Sequence, residues 1–397
     1  MVFTVCHLPR VFTNGFQKQE IIRNLKMKIA LIEPNIGGHH LTYLLAFHQA
    51  LQKLGHQVTI YTTATLQIEN RQIIRFHKML MLPKQPIRKK ITVVINLFLT
   101  LLNLWEVRTH LERKTDLLFF CCMDDYMSEL LPRTLFSKMI PFPFTGLFLS
   151  PRNKGKYLRL DRRNILSSAQ CQAIAVLDEF CQEQLTPYQP NIVQFPDFTD
   201  ESAPNQKYEL ATQILKQANG RCIISLLGAL HARKGIHTFI QTAGQMDPNA
   251  YFFVMAGKSY LTKEELQEIE YHFANRSNCL FANNRIPSEA DFNRLIEISH
   301  IVYAAYVDFS QSSNMFAKSA FFQKPVIVSK GYYMEEIVQH YRTGIAIQSN
   351  DPQACMEAIC ELQAHTIAPT QYQAYLAKHS VSQLPLCFQQ LLSYYSL

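Results

Sequence analysis

Short apolar runs rich in β-branched and aromatic residues alternate with helix-like segments along most of this 397-residue chain. One such run, "KIALIEP", begins at Lys28 and is followed by the helix pattern "LTYLLAFHQALQKLG" and then by the run "HQVTIYTT". This alternation predicts a mainly parallel sheet that is covered by helices on both faces.

The alternation occurs in two series, which a polar, Pro-containing stretch at 195–209 separates. We therefore predict an α/β protein with two doubly wound, Rossmann-like domains that face each other across a ligand-binding cleft. The predicted segments are an N-terminal extension at 1–26, a first domain at 27–203, a second domain at 204–375 and a C-terminal helix at 376–397 that could return to the first domain.

The composition indicates a globular protein, since 48% of the residues are apolar and 18% are charged. Its ten cysteines show no repeated metal-ligand spacing. We expect reduced, mostly buried thiols and a cytoplasmic location. The first residues lack the continuous apolar stretch and the small-residue cleavage site of a secretory signal.

The formal net charge of +8 is concentrated between Arg71 and Lys114, where ten Lys and Arg residues face only two acidic ones. This window contains the uncharged stretch 91–105, whose polar residues recur at helical spacing. Fifteen helical residues reach only about 22 Å, which is short of the roughly 30 Å hydrocarbon core of a bilayer. We therefore do not expect this helix to span a membrane.

Two interpretations of this helix remain open. In the first, it is buried between the sheet and its neighbours. In the second, it lies in the interface of a membrane as a peripheral contact, and its basic neighbours meet anionic head groups. No nucleic-acid partner is expected, because aromatic residues are not interleaved with the charges. The basic neighbours are Lys84, Arg88, Lys89, Lys90, Arg108, Arg113 and Lys114.

The motif "GGHHLTY" lies between the first predicted strand and the first helix. Gly37 and Gly38 would let the backbone approach a ligand closely. His39 and His40 could act as general acid or base or could bind the substrate, and the alternative is that they cap the helix. The third glycine of the dinucleotide-binding fingerprint is missing, which disfavours a dinucleotide cofactor.

The motif "LGALHARKG" again joins an apolar strand to a helix. The N–H groups of a helix N-terminus carry partial positive charge, and Arg233 and Lys234 add full charges beside Gly228. We predict a diphosphate site here. The alternative is a solvated helix start, although cations are disfavoured at that end of a helix.

A polar loop, "SQSSN", precedes another helix, and Lys318 would lie one turn into that helix on the same face as its first residue. These side chains could bind phosphate or ribose without a metal ion, and the alternative is an ordinary capped helix. No metal or other cofactor is predicted. The loop residues of this second candidate donor site are Ser310, Gln311, Ser312, Ser313 and Asn314.

Polar residues also follow two predicted strands of the first domain. Asp124, in "CCMDDY", could orient or deprotonate an acceptor hydroxyl, and Arg152, in "SPRNKGK", could bind the acceptor. The acidic pair Asp124 and Asp125 could equally serve as helix caps.

Taken together, "GGHH", "AIAVLDEF", "LGALHARKGIHTFIQTAG", "YFFVMAGK" and "KPVIVSKGYYMEEIVQHYRTGIAI" resemble the GT-B glycosyltransferases of the large family four. The resemblance covers residues 27–362. It implies that Lys234 binds the diphosphate of a nucleotide sugar, and that Gly331, Glu336 and Gly344 match the family's "G…E-I-V" and "T-G" turns.

The chain departs from the family pattern at three positions. Two glutamates separated by seven residues should fall on Ser310 and Lys318, and the arginine beside the strand-end glycine should fall on Ala229. In the family, the first glutamate commonly supports the reacting sugar and the second the ribose. These departures indicate either a different way of reading the donor or a loss of activity.

The resemblance implies a metal-independent, retaining glycosyltransferase that moves a sugar from a nucleoside diphosphate to a hydroxyl group. By the resemblance, the first domain supplies the acceptor site and the second binds the donor. The residues of the acceptor site would be Gly37, Gly38, His39, His40, Asp124 and Arg152. The acceptor itself, a glycan, a lipid or a small molecule, is left open, and the expected location is the cytoplasm, including the inner face of a membrane. Two alternatives remain: a non-catalytic subunit of the same fold that binds a sugar nucleotide or a partner, and a sugar-nucleotide epimerase.

Overall fold

The computed structural model describes most of the chain, and the structural statements below concern that part. Gly37, Gly38 and nearly all of the predicted N-terminal extension lie outside it. The described residues are 26–35, 39–63, 68–80, 85–153 and 161–395.

Seven parallel strands form the first sheet, in the spatial order β3-β2-β1-β4-β5-β6-β7. The order reverses at the β1–β4 pair, because the chain returns to the middle of the sheet after β3. The strands are β1 (Lys28–Ile32), β2 (Gln57–Thr62), β3 (Arg71–Ile73), β4 (Leu117–Phe120), β5 (Phe144–Phe148), β6 (Ile174–Val176) and β7 (Ile192–Gln194).

Helices cover both faces of this sheet. Two short 3₁₀ helices, Met123–Tyr126 and Arg162–Ser167, follow β4 and precede β6. The α-helices of the first half are α1 (His39–Lys53), α2 (Pro86–His110), α3 (Arg133–Met139) and α4 (Gln182–Leu185).

Six parallel strands form the second sheet, in the order β10-β9-β8-β11-β12-β13. Its order reverses between β8 and β11. The strands are β8 (Cys222–Leu227), β9 (Tyr251–Ala256), β10 (Cys279–Ala282), β11 (Ile301–Ala304), β12 (Val326–Ser329) and β13 (Gly344–Ile347).

The second half contributes nine further α-helices among the described residues. A 3₁₀ turn, Ala232–Lys234, precedes α6, and a π-helical turn, Glu270–Ala274, continues α7. The helices are α5 (Glu209–Ala218), α6 (Ile236–Gln245), α7 (Lys263–Ile269), α8 (Glu289–Ile298), α9 (Asn314–Phe321), α10 (Tyr333–Tyr341), α11 (Pro352–Ala364), α12 (Pro369–His379) and α13 (Leu384–Ser393).

The central strands are buried along their whole length, as the unbroken apolar runs predict. All six residues of β8 and all four of β4, β11 and β12 are buried. Each sheet therefore has an apolar core on both faces, and the predicted fold of two parallel-sheet α/β domains is confirmed.

Helix α13 packs on the first sheet, although it follows the second domain in sequence. The Phe388 ring lies 5.5 Å from Phe47 of α1 and 4.9 Å from Phe195, which follows β7. Leu384, Leu391 and Leu392 join the same core. The chain thus crosses between the domains a second time.

Hydrogen bonds tie the two domains together where the chain crosses. Asp197 is buried between them, accepts a hydrogen bond from Tyr43 of α1 at 3.1 Å, and donates its backbone N–H to His379 Nδ1 at 3.0 Å. Because Nδ1 accepts this bond, His379 donates from Nε2 to Glu179 at 3.0 Å. Burial opposes ionisation of Glu179, but the bonds from His379, Tyr341 and Lys378 outweigh it and lower its pKa to about 2.

Helix α2 is longer than the sequence predicted, and its polar stripe points inward. Asn96 bonds to the backbone of Leu80 through both its Oδ1 and its Nδ2, at 2.8 and 2.9 Å. Asn103 makes the equivalent pair with His77, at 2.8 and 3.0 Å. The two asparagines of the polar stripe are therefore bound by the segment 75–80, whereas Thr92 and Thr100 donate to backbone carbonyls of α2 itself.

The opposite face of α2 is apolar and exposed, so the interpretation as a fully buried helix is wrong. The helix has 25 residues. At about 1.5 Å per residue it is roughly 37 Å long. The prediction that this helix is too short to span a membrane is therefore wrong. The stretch Lys90–His110 is long and apolar enough to cross a membrane by length and composition alone. The exposed side chains are Ile87, Ile91, Val94, Ile95, Phe98 and Trp105.

Candidate active site

A cleft between the domains contains two adjoining cavities of about 1250 and 400 Å³. They lie at the carboxyl ends of the central strands, where each strand order reverses and where such sheets bind ligands. The residues that line both cavities are His40, Gly228, Ala229, His231, Arg233, Glu289 and Phe292.

The second-domain wall of the smaller cavity is cationic. Lys234 Nζ donates to Tyr306 Oη at 2.8 Å and lies 4.3 Å from the centre of the Tyr306 ring. Arg233 lies 5.3 Å from the ring of Phe309. Among the described residues neither cation forms an ion pair, so both can bind an anion in the cleft.

Two glycines shape the backbone around these cations. Gly228 has a φ of 91°, and a Cβ atom there would lie 3.9 Å from Lys234 Nζ and 3.6 Å from the Phe292 ring. Gly235, the N-cap of α6, has a φ of 69°, and a Cβ would come within 2.4 Å of the Ala305 carbonyl oxygen. The positive φ angles at both positions favour glycine, and Gly235 joins the cations Arg233 and Lys234 directly to the N-terminus of α6.

The Ser-rich loop joins the two domains as well as capping a helix. Ser313 accepts the Met315 N–H at 3.3 Å and so caps α9. Ser312 donates to Asp197, and Asn314 accepts from Thr199 at 2.7 Å.

Gln311 donates to Ser150 of the first domain. Gln311 to Asn314 line the smaller cavity, whereas Ser310 is not part of its lining. The helix is therefore capped, as one interpretation predicted. The loop also lines the smaller cavity, and ligand binding by its side chains stays a prediction.

Lys318 does not face the cleft, which corrects the prediction that it would contact a ligand. Its side chain is fully buried and forms an ion pair with Glu289 at 2.8 Å. Its Nζ also donates to Asn293 at 2.5 Å and lies 5.4 Å from the Phe292 ring. Helix α8 covers the face of α9 that carries Lys318.

The first-domain wall carries an acidic residue beside a histidine. Glu33 follows β1, is 1% exposed and lies 3.2 Å from His40 Nδ1. Burial lowers the pKa of His40, but the hydrogen bond to Glu33 and the charges of Glu33 and Asp125 outweigh it and raise the pKa above its usual value. His40 is therefore more readily protonated than an ordinary histidine. His39 begins α1, and its side chain lies outside the described residues.

Asp125 lies behind this pair. Burial, followed by the negative charges of Glu33 and Asp124, raises its pKa from 3.8 to about 6. Asp125 therefore holds its proton to a higher pH than an ordinary aspartic acid does.

The carboxylate of Asp124 is occupied by the protein itself. It accepts the Leu149 N–H at 2.7 Å and pairs with Arg162 at 2.8 Å. It is not part of the lining of either cavity, and this placement favours a structural role over the predicted catalytic one.

Arg152 is likewise engaged. Its guanidinium binds Asp178, with Nη2 at 2.9 Å from Oδ1, and Glu336 of α10, with Nη1 at 2.8 Å from Oε1. It therefore connects the domains, and it does not line the cavities as an acceptor-binding residue would.

Comparisons with known proteins agree with this architecture. Residues 221–365 match the family model described as glycosyl transferases group 1. This match covers the second sheet and supports the resemblance found in the sequence at the level of glycosyltransferases, not of family four in particular. No curated protein matches the sequence.

Solved structures match nearly the whole chain at low sequence identity. A glycosyltransferase from Rickettsia africae is 13% identical, with a TM-score of 0.65 over 91% of this chain and 96% of its own. HepE from Anabaena, in complex with UDP and glucose, is 14% identical, with a TM-score of 0.63 over 92% and 99% of the two chains. This chain has the GT-B fold. WaaG, a glycosyltransferase involved in lipopolysaccharide biosynthesis, is 11% identical, with a TM-score of 0.57 over 91% and 98%.

Several residues of this GT-B cleft were not singled out from the sequence. Glu33 ends the run "KIALIEP", where a carboxylate after a buried strand was the available signal. His231 stacks on Tyr260 at 4.7 Å, and burial followed by the charges of Arg233 and Lys234 lowers its pKa. Glu289 gave no distinct signal, because an acidic residue in the first turn of a helix is common.

No group of three or more His, Cys, Asp or Glu side chains placed to bind a metal ion occurs in the described ranges. All nine cysteines described there are free thiols, and seven of them are buried.

Proposed function

We propose that this GT-B protein is a glycosyltransferase that moves a sugar from a nucleoside diphosphate to a hydroxyl-bearing acceptor. One observation carries the proposal. Lys234 and Arg233, two cations without an acidic partner among the described residues, border a cleft beside the N-terminus of α6. HepE, which has the same fold, was solved with UDP.

In this proposal the cations stabilise the leaving group. The acceptor oxygen forms a bond to the anomeric carbon, and the bond from that carbon to the diphosphate oxygen breaks, with both electrons remaining on the diphosphate. Lys234 and Arg233 neutralise the charge that develops there, which is the role a metal ion would otherwise fill. We extend the proposal to metal-independent transfer on this basis.

We also propose retention of the anomeric configuration, which rests on the family resemblance alone. In that geometry the acceptor approaches the face that the diphosphate leaves, and the acceptor proton passes to the departing phosphate oxygen. Proton NMR of the fresh product would report its anomeric form, and an inverted product would contradict this part of the proposal.

The acceptor would enter from the first domain, where Glu33 and His40 lie. We propose a lipid-linked acceptor presented at the cytoplasmic face of a membrane, because the exposed apolar face of α2 is connected to the cleft. The segment 75–80 binds the polar stripe of α2 through His77 and Leu80. Lys78, in the same segment, lines the larger cavity.

The proposed function is tested with nucleotides and with one variant. Thermal shifts with a set of nucleoside diphosphates should identify a ligand, since a concentration of about 100 times its dissociation constant adds about 2.7 kcal/mol of stability. Hydrolysis or transfer of the matching nucleotide sugar is then measured as release of the nucleoside diphosphate.

Lys234→Ala should lower turnover at least about tenfold, because it removes a charge-assisted contact of roughly 1.5 to 3 kcal/mol from the leaving group. The melting temperature without ligand should change little, because within the described part of the chain the Lys234 side chain bonds only to Tyr306 and, at 3.4 Å, to the Leu227 carbonyl. Lys216→Ala, on the exposed side of α5, is the matched control. Unchanged turnover in Lys234→Ala would contradict the proposed diphosphate site.

The substitution at Ser310 favours a second candidate, a GT-B subunit that binds a sugar nucleotide without transferring the sugar. The family places an acidic residue at this position, whereas a serine hydroxyl cannot supply its charge. Nucleotide binding without hydrolysis or transfer by the pure chain would favour this candidate. Isomerised donor, recovered when donor alone is supplied, would instead indicate an epimerase.

A further inference from the structure

The carboxylate of Glu289 lies where the two cavities of the cleft meet. On one side are the cations Arg233 and Lys234 of the smaller cavity. On the other side the larger cavity is lined by Arg285, Ile286 and Pro287, which precede α8. Arg233 and Glu289 both line the two cavities, so a ligand that extends from the cations into the larger cavity lies beside Glu289.

Buried side chains of α8 and α9 fix the position of the Glu289 carboxylate. Its Oε2 is shielded from solvent and lies 2.8 Å from Lys318 Nζ, while 37% of the side chain remains exposed. Oε1 is therefore the oxygen that can face the cleft. Asn293 completes the support: its Oδ1 accepts from Lys318, and its Nδ2 donates to the carbonyls of Asp200 and Ser202, at 3.2 and 2.8 Å.

An ionised carboxylate accepts hydrogen bonds and repels phosphate, so its partner in the ligand must be a neutral donor. In a nucleoside diphosphate, the group between the diphosphate and the base is the ribose, with its two adjacent hydroxyls. The diphosphate belongs beside Arg233 and Lys234, and the larger cavity has room for the base. This order brings the ribose to Glu289.

We infer that Glu289, held by the buried cation of Lys318, binds the ribose hydroxyls of the donor nucleotide and selects ribonucleotides over deoxyribonucleotides. This inference rests on the proposed function, because it takes a nucleoside diphosphate as the ligand. The family resemblance places a single acidic residue at position 318. In this chain an ion pair would take over its role: Lys318 supplies the support, and Glu289 of α8 supplies the carboxylate.

The test compares UDP, ADP and GDP with their 2′-deoxy forms by isothermal titration calorimetry. None of these probes carries a transferable sugar, so hydroxyls of the transferred sugar cannot contribute. The protein should bind its preferred ribonucleotide roughly ten- to hundredfold more tightly than the 2′-deoxy form, as expected for a hydrogen bond to a charged group. Glu289→Gln should reduce this preference at least about fivefold.

Glu289→Gln also leaves Lys318 buried without its counter-ion and can destabilise the fold. The double variant Glu289→Gln, Lys318→Met removes both charges, and it should have a higher melting temperature than the single variant while still lacking the ribose preference. Glu270→Gln, on the exposed surface of the second domain, is the control and should keep the preference.

The outcomes separate the two proposals. Equal binding of the ribo- and deoxyribonucleotides by the unmodified protein, or a preserved preference in the double variant, would overturn the role of Glu289 and leave the proposed function intact. Binding of none of the nucleotides would overturn the proposed function, and the ribose assignment with it.

Discussion

Asp125 shows how a single buried carboxyl can make this cleft sensitive to pH. Its ionised form is disfavoured in the folded protein by burial and by the neighbouring charges of Glu33 and Asp124. The unfolded chain lacks both effects. Ionisation of Asp125 therefore destabilises the fold. The same negative charge, however, favours the protonated form of the neighbouring histidine, His40.

Asp125→Asn should stabilise the protein at pH 8 and have only a small effect at pH 4. The cost of ionisation is small at pH 3.8, the pKa of the unfolded chain, and vanishes well below it; it grows as the pH rises and is complete above the folded pKa of about 6. The gain at pH 8 should be of order 2 to 3 kcal/mol at most. Urea unfolding at the two pH values measures it.

Glu183→Gln is the control for this prediction, because Glu183 is exposed on the surface of the same domain. Its effect should be small and equal at both pH values. A stabilisation by Asp125→Asn that is equally large at pH 4 would show that the carboxyl is not held in a protonated form by the fold.

The sequence predicted that both Lys234 and Lys318 face the cleft, and the structure places only Lys234 there. The difference has a physical reason. Lys234 lies in a strand-to-helix turn, and in a parallel sheet such turns meet at the edge where ligands bind. Lys318 lies on a helix face, and helical spacing tells which residues share a face but not what covers it. The cover is Glu289 and Phe292 of α8, which no local pattern relates to α9.

Among the elements, α2 differs most from an ordinary helix of a parallel-sheet domain. Its polar stripe faces the protein, and its apolar face is exposed. At 100° per residue the exposed apolar side chains fall within a sector of about 100°, and the inward polar stripe lies roughly opposite. The sequence predicted both stripes, but which one faces inward depends on the segment 75–80, whose backbone the two asparagines bind.

A membrane surface of anionic lipid suits this face of α2. The apolar sector includes Phe98, 61% exposed, and Trp105, 56% exposed, and the exposed basic residues Arg88 and Lys90 flank it. Aromatic and basic side chains on one face of a helix favour the interface of a bilayer with negative head groups.

The protein should therefore co-sediment with vesicles that contain phosphatidylserine, and less with vesicles of phosphatidylcholine alone. Arg88→Gln with Lys90→Gln should weaken the binding by about 2 kcal/mol in total, or roughly thirtyfold, and added salt should weaken it in the unmodified protein. Phe98→Gln should also reduce binding, but without changing its salt dependence.

Lys216→Gln with Lys263→Gln changes the net charge equally on the second domain, and it should bind the vesicles as the unmodified protein does. Equal losses in both double variants would show that only net charge matters. No binding to anionic vesicles at low salt would contradict the membrane contact of α2.

At the scale of the whole molecule, the cleft depends on how the two domains are held together. The polar contacts between the domains include those of the Ser-rich loop, of the crossing segment near Asp197, of Glu179 and of Arg152. Arg152 is fixed by Asp178 of its own domain, and it binds Glu336 of the other domain through two hydrogen bonds. Because 42% of the Glu336 side chain is exposed, water can solvate its carboxylate when the contact with Arg152 breaks, so that no unpaired charge is left buried there.

Glu336→Gln should favour an open arrangement of the domains while leaving each domain folded. Arg152 keeps its bonds to Asp178 in this variant, so the loss is confined to the contact between the domains. We expect a larger radius of gyration in small-angle X-ray scattering without ligand. The KM for the nucleotide sugar should rise, because part of its binding energy must then close the cleft.

The double-mutant cycle with Arg152→Gln separates this contact from the other interactions of each residue. Once either partner is removed, the second substitution should cost less than it does alone, and the coupling energy should lie in the range of about 0.5 to 3 kcal/mol that is typical of residues in contact. The ligand-bound proteins should have similar radii of gyration, since residues of both domains line the cavities that the ligand would fill. Additive effects on KM, together with an unchanged radius of gyration in Glu336→Gln, would show that the other contacts between the domains hold the cleft closed without Arg152 and Glu336.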